Sequence, residues 1–175
     1  MVSKYIYDNN VKIKIWQDEF QTFDVKPIRV IEKEFDSNIE QIVSRSLLVI
    51  ELYLPRNISN YGLLGVKCEG NEGIKVEVDV FDFDTVEYID NLGINSDYIH
   101  LGLPEDYVEG IFSGVEKLIN LGLIRNGKYK FFIGAHGEVG SSVNIFDYIC
   151  RVLMKLFNEN EINSDVVERI IKDEL

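Results

Sequence analysis

The sequence predicts an α+β domain with a mostly antiparallel sheet, and two observations lead to this class. The first half of the chain alternates apolar and polar residues at the period of two that a half-buried strand requires. The second half repeats its apolar residues at helical spacing, with one further strand between two such segments. At 175 residues, of which 46% are hydrophobic, the chain is long enough for a single domain with a substantial core.

The strands of the first half are predicted from this alternation. In residues 11–16 a valine and two isoleucines occupy one side and two lysines the other. Residues 27–35 repeat the pattern less regularly, and residues 46–54 form an apolar strand that ends at Pro55.

A short helix and a hairpin complete the first half. Ser37 is a candidate N-cap for the helix, and three apolar residues follow it at helical spacing. Residues 63–70 and 74–83 are two strands joined by Asn-Glu-Gly, which suits a tight turn, so we expect them to pair as a hairpin. The apolar residues of the helix are Ile39, Ile42 and Val43.

Residues typical of helix ends mark where the helices of the second half begin and stop. Pro104 suits the first turn of a helix that ends at Gly122. Residues 125–135 are predicted to form a turn and then a strand, and Ser141 or Ser142 can cap the next helix. A last helix has Ser164 as its candidate cap. The apolar stripe of the first helix comprises Tyr107, Val108, Ile111, Val115, Leu118 and Ile119.

The net charge of the chain indicates what kind of partner it can bind. The 30 acidic and 18 basic residues give a net charge of −12, which argues against a nucleic acid, because phosphate binding draws its affinity from Lys and Arg. A basic protein is the expected partner, although an excess of acidic residues can also serve only to keep the protein soluble.

No apolar run approaches the roughly 18 residues that span a bilayer, and the chain starts without a signal-peptide core. We therefore expect a cytosolic protein that is not inserted in a membrane.

No motif identifies an enzyme, a cofactor or a metal site. Residues 134–142, "GAHGEVGSS", lack the Lys of a phosphate loop and the pattern of a Gly-x-Ser-x-Gly elbow. His136 and Ser141 could form a nucleophile only through the fold, and helix capping is the favoured role of the serine. Cys68 and Cys150 are expected to be reduced, and with the two histidines they show no zinc-ligand spacing.

Acidic side chains are the main candidates for binding. Glu77 and Asp79 alternate with valines along one strand, which predicts a solvated acidic face. Acids near the first helix of the second half add to it, and some of them suit the positive end of that helix. The candidate binding residues are Glu77, Asp79, Asp82, Asp84, Glu105, Asp106, Glu109 and His136.

Residues 100–124, "HLGLPEDYVEGIFSGVEKLINLGLI", are followed by a strand and then by residues 136–157, "HGEVGSSVNIFDYICRVLMKLF". With these motifs, residues 61–157 resemble domain IV of elongation factor G. In that family a Gly-(x)-Leu-Pro-x-x-Tyr/Phe segment opens a helix with a glycine at its middle, and a strand then leads through a histidine-containing loop to two serines and another helix. The resemblance implies two helices on one face of a four-stranded sheet, joined by a left-handed βαβ crossover. Residues 1–60 would add strands, and residues 158–175 a helix. The matching positions are Gly102, Leu103, Pro104, Tyr107, Gly114, Gly122, Leu123, Ser141 and Ser142.

Three functions are open at this point. The leading one is a non-enzymatic acidic binding protein, similar to the bacterial immunity proteins that mask a basic toxin, often a nuclease. The alternative is a translation-associated module, since domain IV enters the ribosomal decoding centre beside transfer RNA. The third is a hydrolase that uses His136 and Ser141.

Overall fold

A computed structural model describes residues 1–37, 39, 41, 45–70, 72–83 and 85–174. The strands in these residues are β1 (Val2–Ile6), β2 (Lys12–Gln17), β3 (Arg29–Phe35), β4 (Leu47–Tyr53), β5 (Tyr61–Glu69), β6 (Ile74–Val80), β7 (Ile99–Leu101) and β8 (Gly127–Gly137). The helices are α1 (Val108–Asn120), α2 (Val143–Phe157) and α3 (Ser164–Glu174). The described strands form one sheet in the order β1-β2-β4-β5-β8-β6-β3, and β7 pairs with β8 outside this path.

The helices cover one face of the sheet, as β4 shows most clearly. Leu48, Ile50 and Leu52 are buried in one cluster with residues of all three helices. Val49 and Tyr53 alternate with these three residues along β4 and belong to a smaller cluster on the other face. None of the described members of this cluster is helical. Segments outside the regular elements cover this second cluster through side chains such as Phe20, Phe23 and Leu92. The α+β class is therefore confirmed.

The predicted hairpin between the fifth and sixth strands is wrong. Strand β8 lies between β5 and β6, antiparallel to β5 and parallel to β6. The central position of β8 suits its composition, since Tyr129 and Phe131 are buried on one face and Ala135 on the other. Strands β6 and β8, with α1 between them in the chain, thereby form a βαβ unit. The left-handed crossover stays a prediction.

Other elements agree with the sequence to different extents. The strands predicted at residues 11–16, 27–35 and 46–54 are confirmed as β2, β3 and β4. Strands β1 and β7 were not predicted. The predicted helix after Ser37 cannot be compared, because Ile42 and Val43 lie outside the described residues.

The ends of the helices show which local signals act. Helix α1 is preceded by a short 3₁₀ turn, Glu105–Tyr107, and is followed by Gly122 at a φ of +69°, as expected of a helix-ending glycine. Helix α3 begins at Ser164, but Ser164 is not its cap. The side-chain oxygen of Asn163 accepts a hydrogen bond from Val166 N at 3.0 Å, so the preceding residue performs this role.

None of the helices in the described residues is both long enough and apolar enough to cross a bilayer.

Candidate functional site

Glu77 and Asp79 lie opposite the buried valines of β6, as predicted, but they are not solvated. Glu77 is 8% exposed and Asp79 is 7% exposed. Lys128 Nζ lies 3.2 Å from Glu77 Oε1, and Lys130 Nζ lies 3.5 Å from Asp79 Oδ1. The prediction of a solvated acidic face is wrong here, because β8 pairs with β6 and brings its lysines alongside the carboxylates.

The lysines set the protonation of these two acids. Burial raises the pKa of Glu77, but the hydrogen bond and charge of Lys128, together with Lys75, outweigh it and lower that pKa below its ordinary value. Burial raises the pKa of Asp79, and Lys130 reverses only part of the increase. A cation of a partner would have to compete with lysines of this chain for either group.

The other predicted acids lie around the start of α1, and we call Asp82, Glu105, Asp106 and Glu109 the acidic rim. The hydrogen bond from Phe81 N to Leu103 O, 2.9 Å long, brings the end of β6 beside the segment that leads into α1. All four acids are exposed, and Glu105 pairs with Arg29 of β3.

The other three acids of the rim form no ion pair with another described residue. Asp84, the remaining predicted acid, lies outside the described residues.

His136 lies within β8 rather than in a loop, and it is fully buried. Its Nδ1 lies 3.0 Å from the carbonyl oxygen of Gly102. Because a carbonyl only accepts, Nδ1 carries the proton and Nε2 is an acceptor. Nε2 has no hydrogen-bond partner among the described residues. Burial lowers the pKa of His136, and the Gly102 carbonyl offsets this only in part, so the ring is neutral at pH 7.

The partner of His136 depends on a glycine. Gly102 has a φ of +96°, a conformation that favours glycine, and a Cβ there would lie 2.6 Å from Cβ of Phe81. Gly102 N donates to Gly134 O at 2.6 Å, which holds this backbone against β8.

Five rings meet at this end of β8. His100 lies opposite His136 in the β7–β8 ladder, with ring centroids 5.4 Å apart. Phe83 and Tyr107 lie 5.0 Å and 5.7 Å from His136, and Tyr98 lies 4.6 Å from His100. We call Phe83, Tyr98, His100, Tyr107 and His136 the histidine–aromatic cluster.

Two acids flank His100. Its Nε2 lies 2.9 Å from Oε1 of Glu138, the residue that follows β8. On its other side, Glu87 forms an antiparallel bridge with His100. Glu87, His100 and His136 therefore occupy successive positions across three neighbouring backbone segments.

Most of this cluster was missed in the sequence. Of its members, only His136 was proposed for binding. Each histidine stands between non-polar residues, in "IHL" and "AHG", so pairing of these two triplets would place both rings on one face. The signal was not usable, because the three-residue β7 was not predicted as a strand.

The two serines have roles in the backbone structure. Ser142 is the N-cap of α2, and its Oγ accepts from Ile145 N at 3.4 Å. Ser141 Oγ donates to Tyr61 O at 2.6 Å and accepts from a backbone N–H of β8 at 2.9 Å. Among the described residues, neither serine forms a hydrogen bond with His136.

The cysteines lie apart from the histidines in other elements. Cys150 is buried in α2, with its Sγ 3.4 Å from Ile111 O, and Cys68 is partly buried in β5. In the part of the chain that the structure describes, no three His, Cys, Asp or Glu side chains are placed to hold a metal ion.

Comparison of the chain with protein-family models, curated proteins and solved structures gives no match. The resemblance to domain IV of elongation factor G and the likeness to immunity proteins therefore stay predictions.

Proposed function

We propose that this chain is a non-enzymatic acidic binding protein of the cytosol, and that it acts as an immunity protein for a basic toxin, such as a nuclease. Its net charge of −12 is complementary to a protein that binds nucleic acid through Lys and Arg. The same charge disfavours nucleic acid as the direct partner.

The observation that carries the proposal is the acidic rim. It gathers four exposed carboxylates near the start of α1, and Asp82, Asp106 and Glu109 have no ion-pair partner in the described chain. Glu77 and Asp79, by contrast, already have lysine partners. The rim is thus the part of the predicted acidic surface whose charge a partner can use.

Exposed charges act mainly on the rate of association. A patch of one sign steers an oppositely charged protein toward productive encounters. Dissolved salt at 0.1 M weakens this attraction strongly at separations beyond about 10 Å. The proposed complex should therefore form more slowly as the salt concentration rises.

The test is co-expression with the toxin encoded nearest to the gene of this protein, followed by binding of the purified pair across a salt series. Survival above an empty vector and binding that weakens with salt support the proposal. Survival no better than the vector, or binding that salt leaves unchanged, would contradict it.

A translation-associated role is the second candidate. The βαβ unit of β6, α1 and β8 lies in the segment that resembles domain IV of elongation factor G, and this arrangement favours it. Stable co-sedimentation of the purified chain with ribosomes at physiological salt would support this role. No co-sedimentation would leave the immunity role ahead.

A further inference from the structure

The histidine–aromatic cluster is open to solvent on one side. Phe83 is 46% exposed and Tyr98 is 45% exposed, although each ring contacts a histidine. Val139, which follows Glu138, is also exposed. Large rings left half-open beside an apolar side chain are typical of binding surfaces.

A carboxylate with a free oxygen lies beside the open rings. Glu138 N donates to Tyr98 O at 3.1 Å, so these two residues lie side by side just beyond the paired ends of β7 and β8. Glu138 uses Oε1 to contact His100, and its Oε2 forms no hydrogen bond or ion pair with another described residue. The side chain is exposed, so this oxygen can accept from a ligand.

The buried acceptor of His136 is a separate observation. Its Nε2 has no donor in the described structure, and a buried polar atom in this state is uncommon in folded proteins. The ring lies against Phe83 and His100, within the cluster. The ring faces of Phe83 and Tyr98 and the free carboxylate oxygen of Glu138 are the exposed groups that attract a cationic hydrogen-bond donor.

We propose that the histidine–aromatic cluster binds an arginine side chain of the basic partner. Its guanidinium stacks on the open rings of Phe83 and Tyr98 and donates hydrogen bonds to Glu138. Arginine fits better than lysine, because a planar guanidinium stacks on aromatic rings and still has N–H donors at its edge for the free carboxylate oxygen. The inference rests on the proposed function, since it is the basic partner that supplies the arginine.

The cluster is continuous with the acidic rim. Asp82 precedes Phe83, and Asp106 precedes Tyr107, so two rim acids adjoin two rings of the cluster in the chain. In this arrangement, the charge of the acidic rim attracts the basic partner, and the histidine–aromatic cluster then binds an arginine of that partner. Such anchors lie among partly buried aromatic side chains in many interfaces.

A nucleobase is the main competing ligand, because exposed aromatic rings also stack on bases. The nearby Glu87, Glu138 and Asp82 are exposed, and their charges repel a phosphate backbone. The charges of the site therefore favour arginine.

The experiment measures fluorescence anisotropy of three labelled probes with the full chain: octa-arginine, octa-lysine and octa-uridine. The cluster variants are Phe83→Leu, Tyr98→Leu and Glu138→Gln. Leucine keeps an apolar side chain in place of each ring, and at Tyr98 it also removes the hydroxyl that forms a hydrogen bond with Glu87. Thermal unfolding of each variant separates loss of the site from loss of the fold.

Two control variants make similar changes elsewhere. Leu121→Ala removes an exposed apolar side chain at the far end of α1, and Glu116→Gln neutralises an exposed acid in the same helix. Both should bind the probes as the wild type does.

We expect octa-arginine to bind more tightly than octa-lysine, and each cluster variant to weaken its binding about three- to tenfold. Equal binding of the two peptides, unchanged in the cluster variants, would overturn the arginine site. Tighter binding of octa-uridine would overturn it in favour of a nucleic acid.

The outcomes also separate the site from the proposed function. If Asp106→Lys weakens binding of octa-arginine and the cluster variants do not, the arginine site is wrong and the acidic binding function stands. If neither cationic peptide binds at any salt concentration, the proposed function fails as well.

Discussion

His100 and His136 face each other across the β7–β8 ladder, with ring centroids 5.4 Å apart and ring planes 22° apart. Their surroundings differ. His100 Nε2 contacts the exposed carboxylate of Glu138, whereas the only hydrogen bond of the His136 side chain among the described residues joins Nδ1 to a backbone carbonyl. The buried ring therefore has no carboxylate hydrogen-bonded to it that would stabilise its protonated form, and it should make the fold sensitive to acid.

The first prediction concerns His136→Asn. The pKa of His136 lies below its ordinary value of 6.5 in the folded protein, so the stability from the neutral ring is present above that pH and is lost as the pH falls through the folded pKa. Asn can still donate to the Gly102 carbonyl, and it does not titrate.

Urea unfolding of the wild type and His136→Asn at about pH 7.5 and 5.5 measures this effect. We expect the free energy of unfolding to fall less toward acid in the variant, by on the order of 1 kcal/mol. An equal fall in both proteins would assign the acid sensitivity to other groups.

The second prediction concerns Glu51, which is fully buried on the face of β4 away from the helices. Its Oε1 accepts from Tyr61 Oη at 2.8 Å and from Leu92 N at 2.7 Å. Burial raises the pKa of Glu51 to about 7, and these hydrogen bonds oppose the increase only in part. Because the folded pKa is the higher one, the stability from protonated Glu51 is present below its ordinary pKa of 4.5 and is lost as the pH rises through about 7.

Glu51→Gln keeps a carbonyl acceptor for both donors and cannot ionise. We compare the free energy of unfolding of Glu51→Gln with that of the wild type at each pH. We expect this difference to favour the variant more at about pH 8 than at about pH 5, by about 1–3 kcal/mol. Glu51→Ala is the contrasting variant, since it loses both hydrogen bonds and should be destabilised at both pH values. The same pH dependence in wild type and Glu51→Gln would contradict the assignment.

The third prediction concerns the cap of α2. Ser142→Ala removes the acceptor for Ile145 N and should lower the free energy of unfolding by about 0.5–2 kcal/mol without changing partner binding. Ser46→Ala is the control, because Ser46 is exposed and its Oγ forms no hydrogen bond in the described chain. A hydrolytic activity that Ser142→Ala abolishes would instead favour an enzyme.

The fourth prediction separates charge at the rim from charge elsewhere. Asp106→Lys and Glu109→Lys should slow association with the basic partner and flatten its dependence on salt, and stopped-flow kinetics measures both. Glu116→Lys makes the same change of charge farther along α1 and should have a smaller effect. Equal effects of all three variants would mean that the total charge, and not the rim, determines the rate.

Several elements of this fold follow from local sequence. The alternation of residues 11–16 and the stripes of α1 and α2 give each element an apolar side, and burial of that side selects strand or helix. Gly122 and Ser142 act at helix ends through their own backbone and side chain, so their roles were predictable without any neighbour.

The neighbours of each element were decided only by the tertiary structure. A strand pattern reveals which side is apolar, but it does not identify the strand that pairs alongside. The insertion of β8 between β5 and β6 gave Glu77 and Asp79 their lysine partners, and the short β7 brought His100 beside His136. Alternation thus determined the face of each side chain, while long-range pairing determined whether that face holds solvent, a counter-ion or another ring.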